Sequence, residues 1–159
     1  MDLAPLARRL EIAALYTDYV HCLDDDELER WPDFFVAEAS YHITSAENYE
    51  AGLPAGLIYA TSRNMLKDRV TALREANIYE PQRYRHLVSA IRLLRDDGDT
   101  VAVVANFLIV RTMQDGEMTI FAAGRYLDTL RREEGGWKFA NKLVVLDSRR
   151  IDTLLAIPM

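Results

Sequence analysis

Only one cysteine, Cys22, occurs in 159 residues, which excludes an intrachain disulfide and any site that needs two thiolates. No apolar run approaches the roughly 20 residues that a membrane-spanning helix requires. The opening stretch, Met1-Asp2-Leu3-Ala4-Pro5-Leu6-Ala7-Arg8-Arg9, carries its arginines after the first apolar side chains and lacks a signal-type apolar core. A cytoplasmic protein with no membrane partner is the expectation. Positive charge is also scarce: 19 Lys and Arg stand against 25 Asp and Glu, a net charge of -6. The arginines are scattered among acids and form no stripe, which disfavours a nucleic-acid partner. What is present is ordinary globular material, 50% apolar and 28% charged. A chain of this length buries roughly 70% of the surface its unfolded form exposes, so one domain over residues 1–159 is expected.

The two halves are patterned differently. From Leu3 to Leu23 the residues Leu6, Leu10, Ala13 and Val20 recur at helical steps, and Ile12, Leu15, Tyr16, Tyr19 and Leu23 form a second stripe beside them. A helix apolar over so much of its circumference should be deeply packed. Asp24-Asp25-Asp26-Glu27 interrupts the pattern, and Asp25 or Asp26 is placed to cap a short helix through Trp31 and Phe34. Ser40 to Ser45 alternates as a strand does, Gly52, Pro54 and Gly56 mark an irregular connection, and Ser62 can cap a further helix to about Asn77.

Four segments rich in β-branched and aromatic residues follow: Tyr84 to Arg95, Thr100 to Gln114, Glu117 to Arg131 and Trp137 to Ser148. Asp97-Gly98, Asp115-Gly116 and Gly135-Gly136 separate them, with Gly98, Gly116 and Gly135 expected to supply positive φ in tight hairpins. Helices followed by an antiparallel meander predict an α+β domain, its N-terminal helices packed on a curved, mainly antiparallel sheet. The plan resembles the cone-shaped fold of nuclear transport factor 2, ketosteroid isomerase and scytalone dehydratase, an architecture that hosts enzymes, carriers and interaction modules.

Three stretches are more specific. Tyr16-Thr17-Asp18-Tyr19, then Leu23-Asp24 and Trp31-Pro32-Asp33-Phe34-Phe35, form the first. Asp68-Arg69, Ala72-Leu73-Arg74-Glu75-Ala76-Asn77-Ile78-Tyr79-Glu80 and Arg83-Tyr84-Arg85-His86 form the second. Leu143-Val144-Val145-Leu146-Asp147-Ser148 with the tail Asp152-Thr153-Leu154-Leu155-Ala156-Ile157-Pro158-Met159 forms the third. In this order they resemble the small subunits of bacterial aromatic-ring-hydroxylating oxygenases, most of all those of terephthalate dioxygenase and, next, salicylate hydroxylase. The resemblance implies a scaffold without catalytic residues, binding a large subunit that carries a Rieske iron-sulfur cluster and a mononuclear iron. It also implies three small subunits as a trimeric base beneath three large ones, the assembly hydroxylating an aromatic carboxylic acid. No cofactor is expected in this chain: a Rieske centre needs two cysteines and two histidines.

The competing reading is a stand-alone lyase or isomerase, because enzymes of the cone fold place tyrosine, aspartate and histidine inside it. Tyr16, Tyr19, Asp24 and His86 are the candidate pocket: a carboxylate with a raised pKa abstracts a proton beside a carbonyl while tyrosine donates to the developing oxyanion. The same residues more simply satisfy a polar patch between helix and sheet. Two of His21, His42 and His86 with Asp24 could be assembled into a metal site, though hydrogen-bonded or exposed structural histidines are the commoner outcome. Cys22 beside His21 invites a nucleophile, yet adjacent helix positions do not face each other. Arg69, Arg74, Arg83 and Arg85 suit an anion, but more often pair with neighbours such as Asp68, Glu75 and Glu80 or with a partner's acids. Trp31, Phe34, Phe35, Trp137 and Phe139 are read as core aromatics, with a subunit interface as the alternative. The apolar tail around Leu154, Leu155 and Ile157 is expected to dock against protein.

Overall fold

The computed structural model describes residues 2–75, 80–150, 155 and 157–159. Helix α1 (Ala4–Asp24) has Pro5 in its first turn, where a missing N–H breaks no helical bond. It buries one stripe, Ile12, Leu15, Tyr16, Tyr19, Cys22 and Leu23. The stripe through Leu6 and Leu10 is not packed as expected: these side chains are 56% and 62% exposed. They project from the opposite side of the helix, and only one side can meet the sheet.

A 3-10 helix (Leu28–Phe34) comes next. Neither Asp25 nor Asp26 caps it; Glu27 holds the cap position without a side-chain bond. Asp26 instead takes a left-handed turn with φ 59°, and its carboxylate is held by Arg74 at 2.9 Å. Strand β1 (Phe35–Ser45) begins five residues earlier than alternation suggested, the added stretch burying Phe35, Val36 and Ala39. Two short elements lie in or beside the stretch expected to be irregular, α2 (Ala46–Glu50), capped by Ser45 Oγ, and β2 (Ile58–Ala60). Helix α3 (Arg63–Glu75) is capped as expected, Ser62 Oγ accepting the Met65 N–H at 3.2 Å. It buries Leu66, Val70 and Leu73; the expected run to Asn77 lies outside the described residues.

The meander is β3 (Gln82–Asp96), β4 (Thr100–Met113), β5 (Met118–Glu133) and β6 (Gly136–Leu146). Gly98 and Gly116 turn with φ of 89° and 92°, but in the third hairpin the positive φ, 112°, falls on Gly136 and not on Gly135. The described residues make one six-stranded sheet in the order β2-β1-β6-β5-β4-β3. Every neighbouring pair is antiparallel except β1 with β6, which the intervening chain makes parallel. Register shifts at Ser89/Arg92, Ile109/Val110 and Thr129/Leu130 bend the long strands. The curled sheet packs its concave face on α1, which lies along β3 and β6, while α3 closes over β1 and the 3-10 helix.

Between these layers the aromatic core is continuous. The Phe139 ring meets Tyr19, Phe35 and Tyr16 at centroid distances of 5.1, 5.4 and 5.7 Å, and Trp31 packs edge-on against Tyr41 at 5.3 Å. Burying each such side chain contributes about 1.5–3 kcal/mol. Trp31, Phe35 and Phe139 are fully enclosed. Trp137 lies at the rim between the Arg8 and Arg132 guanidinium groups, 4.9 and 4.5 Å from its ring, and Phe34 is half-buried.

Candidate functional site

The interior of the cone holds more polar chemistry than sequence reasoning located. Asp128 on β5 and Lys142 on β6 are direct cross-strand partners, and Lys142 Nζ lies 3.0 Å from Asp128 Oδ2 with neither side chain exposed. Tyr16 donates its hydroxyl to the same oxygen at 2.5 Å. The Lys142 ammonium also stands 3.5 Å from the Tyr126 ring centroid and 4.4 Å from that of Phe139, so its charge is balanced by a carboxylate and by aromatic faces. Burial draws Lys142 down to about 8, against the pull of Asp128. Burial likewise raises Asp128, against Lys142, and raises Tyr16, with Asp128 adding to the effect. A period of two carried the signal: Lys142 is in phase with Val144 and Leu146, and Asp128 with Tyr126 and Leu130.

The other candidates join separate networks. Asp24, the last residue of α1, accepts the His86 backbone N–H at 3.0 Å and meets His86 Nδ1 at 2.5 Å. Both side chains are enclosed, and His86 Nε2 is buried with no hydrogen-bond partner. Tyr19 donates to the Met159 carbonyl at 2.9 Å and accepts from Trp31 Nε1 at 3.1 Å. Tyr16, Tyr19 and Asp24 with His86 therefore do not converge on one point. A cleft of about 660 Å³ opens near Asp24, Arg83, Tyr84 and Arg85, but Tyr16, Tyr19 and His86 do not line it.

The tail enters the cone. Ile157, Pro158 and Met159 are buried, Met159 completely. Tyr41 donates to the Met159 carbonyl at 3.0 Å and accepts its N–H at 3.1 Å. Arg69 donates to the Leu155 carbonyl at 3.2 Å. Docking of the tail, expected from its apolar character, is what these residues display; Leu154 lies outside the described ones.

His21 is exposed on α1. His42 projects from the face of β1 opposite Tyr41 and Ile43, against Tyr59, and burial lowers its pKa. His86 lies on the concave face of β3. Strands β1 and β3 are four spacings apart, roughly 19 Å at about 4.8 Å each before curling, so His42 and His86 do not meet at one metal ion. Among the described residues no three His, Cys, Asp or Glu side chains converge as metal ligands. Cys22 contacts the Glu27 carbonyl at 3.1 Å, and burial pushes its thiol up to about 11, the opposite of an activated nucleophile. Pairing of the basic segment is observed for Arg74, but with distant acids: it grips Asp26 at 2.9 Å and Glu29 at 2.7 Å, not Asp68 or Glu75, which ties α3 to the start of the 3-10 helix.

An interior spent on packing, under a fold shared with scytalone dehydratase, is compatible with many functions. The family model for the ring hydroxylating beta subunit matches residues 19–153. The chain belongs to this family. It is 40% identical over 149 residues to the small subunit of anthranilate 1,2-dioxygenase from Burkholderia cepacia, covering 94% of this chain and 92% of that one. It is 38% identical to a beta subunit of the terephthalate 1,2-dioxygenase terminal oxygenase component from Comamonas sp, covering 97% of this chain and all of that one. A solved structure from Novosphingobium aromaticivorans, described as the beta subunit of an aromatic-ring-hydroxylating dioxygenase, superposes with a TM-score of 0.89 at 37% identity, covering 99% and 100% of the two chains. As a ring-hydroxylating beta subunit, the chain is a non-catalytic structural component of an oxidoreductase. No helix among the described residues is long and apolar enough to cross a membrane.

Proposed function

We propose that this beta subunit supports a cytoplasmic oxygenase that hydroxylates an aromatic carboxylic acid. Its large-subunit partner carries the Rieske cluster and the mononuclear iron, and three small subunits form a base beneath three large ones. The observation that carries the substrate class is end-to-end similarity to small subunits named for anthranilate and terephthalate, both aromatic carboxylates. The scaffold role is supported by the cone, where Tyr16, Tyr19, Asp24 and His86 are each committed to a packing interaction. The test is co-expression with a large-subunit gene of the same family and source, followed by native mass measurement and turnover on anthranilate, terephthalate and naphthalene. A complex of three plus three that oxidises a carboxylate is expected. A chain that purifies alone beside its large subunit, or a complex that oxidises naphthalene and neither acid, overturns the proposal.

The lyase or isomerase reading keeps one observation, the enclosed Asp24–His86 pair with a free imidazole nitrogen. Such a pair orients an imidazole for proton transfer only where a substrate atom can come within about 3 Å.

A further inference from the structure

The tail is held in the core by convergent donors. Two phenol hydroxyls from different elements, Tyr19 on α1 and Tyr41 on β1, converge on one oxygen, the Met159 carbonyl, at 2.9 and 3.0 Å. Two converging donors suit an oxygen with two lone pairs to offer, that of a carbonyl or a carboxylate. Trp31 Nε1 fixes the Tyr19 hydroxyl from behind at 3.1 Å. The walls are apolar and aromatic: Trp31, Phe35 and Tyr41 pack edge to face and are fully buried. The Lys142 ammonium, 4.7 Å from the Tyr19 ring, is already paired with Asp128, and a second cation, Arg69, stands by the tail. Arg69 Nη2 reaches the Leu155 carbonyl at 3.2 Å, Arg69 Nε is buried without a hydrogen-bond partner, and the guanidinium charge acts on the Tyr41 hydroxyl. A concave apolar space with a few convergent donors is the general form of a small-molecule pocket.

Without the tail, both phenol O–H groups would be left as enclosed donors without an acceptor, a costly state. An incoming acceptor relieves that cost. The donors and the guanidinium select an anion or carbonyl over an amine, and the ring-lined walls select an apolar body. We infer that the Tyr19–Tyr41 pocket is a latent site for small carboxylates with an apolar body, for which benzoate serves as the probe, occupied in the intact chain by Ile157, Pro158 and Met159 acting as an intramolecular ligand. The inference stands on this geometry and not on the substrate proposed for the assembly. A tethered segment competes at an effective concentration in the millimolar range, so the intact chain binds such acids weakly.

The test keeps every residue of the pocket in the protein. A protease site introduced between Arg150 and Leu155 lets the folded chain be cut, leaving the tail bound but free to exchange. Release of the severed segment is then measured by mass spectrometry after gel filtration, with benzoate, toluene or benzylamine present. Benzoate is expected to bind one to one and displace the segment, with at least tenfold more release than toluene or benzylamine. Tyr19→Phe with Tyr41→Phe in the cut protein should weaken benzoate binding at least tenfold. A shortened chain ending at Leu154 gives a second reading, with benzoate expected to raise its melting temperature. If benzoate neither displaces the severed segment nor stabilises the shortened chain, the inference is overturned. It is equally overturned if toluene acts as well as benzoate, or if the double tyrosine variant binds benzoate unchanged.

Discussion

Lys142 places its ammonium 3.0 Å from the Asp128 carboxylate in a part of the molecule that neither side chain shares with solvent. Taking two charges out of water is costly, and their attraction repays it only while both are present. Lys142→Met should therefore destabilise the fold by about 3–5 kcal/mol, because Asp128 is left enclosed with Tyr16 as its remaining side-chain donor. Lys142→Met with Asp128→Leu should recover much of that loss. Urea denaturation of the four proteins in the cycle measures both effects; a single variant as stable as the parent would show that the pair does not hold the core together.

The same pair predicts a pH dependence. Burial lowers Lys142 from 10.5 to about 8, so between these values the unfolded chain holds a proton that the native chain has released. The contribution of this group to stability accordingly rises with pH through that window, and below about 8 the cost of the charged form is present in full. Tyr16, Tyr19 and Tyr126 act in the opposite sense: burial raises them above the ordinary value of 10.0, so above that value the unfolded chain loses protons first and stability falls. Cys22, raised by burial from 9.0 to about 11, opposes the rise from about pH 9, so chemical denaturation at stepped pH should show stability climbing between pH 8 and 9, levelling, and declining beyond pH 10. Lys142→Met should remove the rising limb and keep the falling one.

Asp24, His86 and Tyr16 should matter to hydroxylation only through folding and assembly. Asp24→Ala leaves the His86 backbone N–H and Nδ1 enclosed without their acceptor, and a loss of about 1–3 kcal/mol for each unsatisfied group is expected. Turnover is to be measured on assembled complexes with matched iron content. A fall of about a hundredfold with assembly intact would indicate acid–base chemistry and return the lyase or isomerase reading to first place.

Purified in isolation, the chain is expected to hold no stoichiometric iron or zinc. His42 and His86 sit on opposite faces of the sheet with β6, β5 and β4 between their strands. Metal analysis after dialysis without chelator decides the matter. A full equivalent of iron lost on replacing both histidines would contradict it.

Local pattern alone determined much of this protein. The meander was readable because alternation and turn glycines are properties of neighbouring residues, and Ser62 was readable as a cap because an N-cap bond spans three positions. The family was readable because three motifs recur in order along the chain, and the matched residues 19–153 bear this out. Only the tertiary structure decided which α1 stripe is buried, since Leu6 and Ile12 are equally apolar and the sheet covers one side of the helix. It also decided that Tyr16 serves Asp128 while Tyr19 serves Met159. Those partners lie 112 and 140 positions away in the chain, and a hydrogen bond leaves no periodic trace in sequence. Lys142 marks the boundary between the two kinds of knowledge: its phase with Val144 and Leu146 pointed it inward, but only the fold brought Asp128, Tyr16 and the Tyr126 ring to where a buried ammonium can be borne.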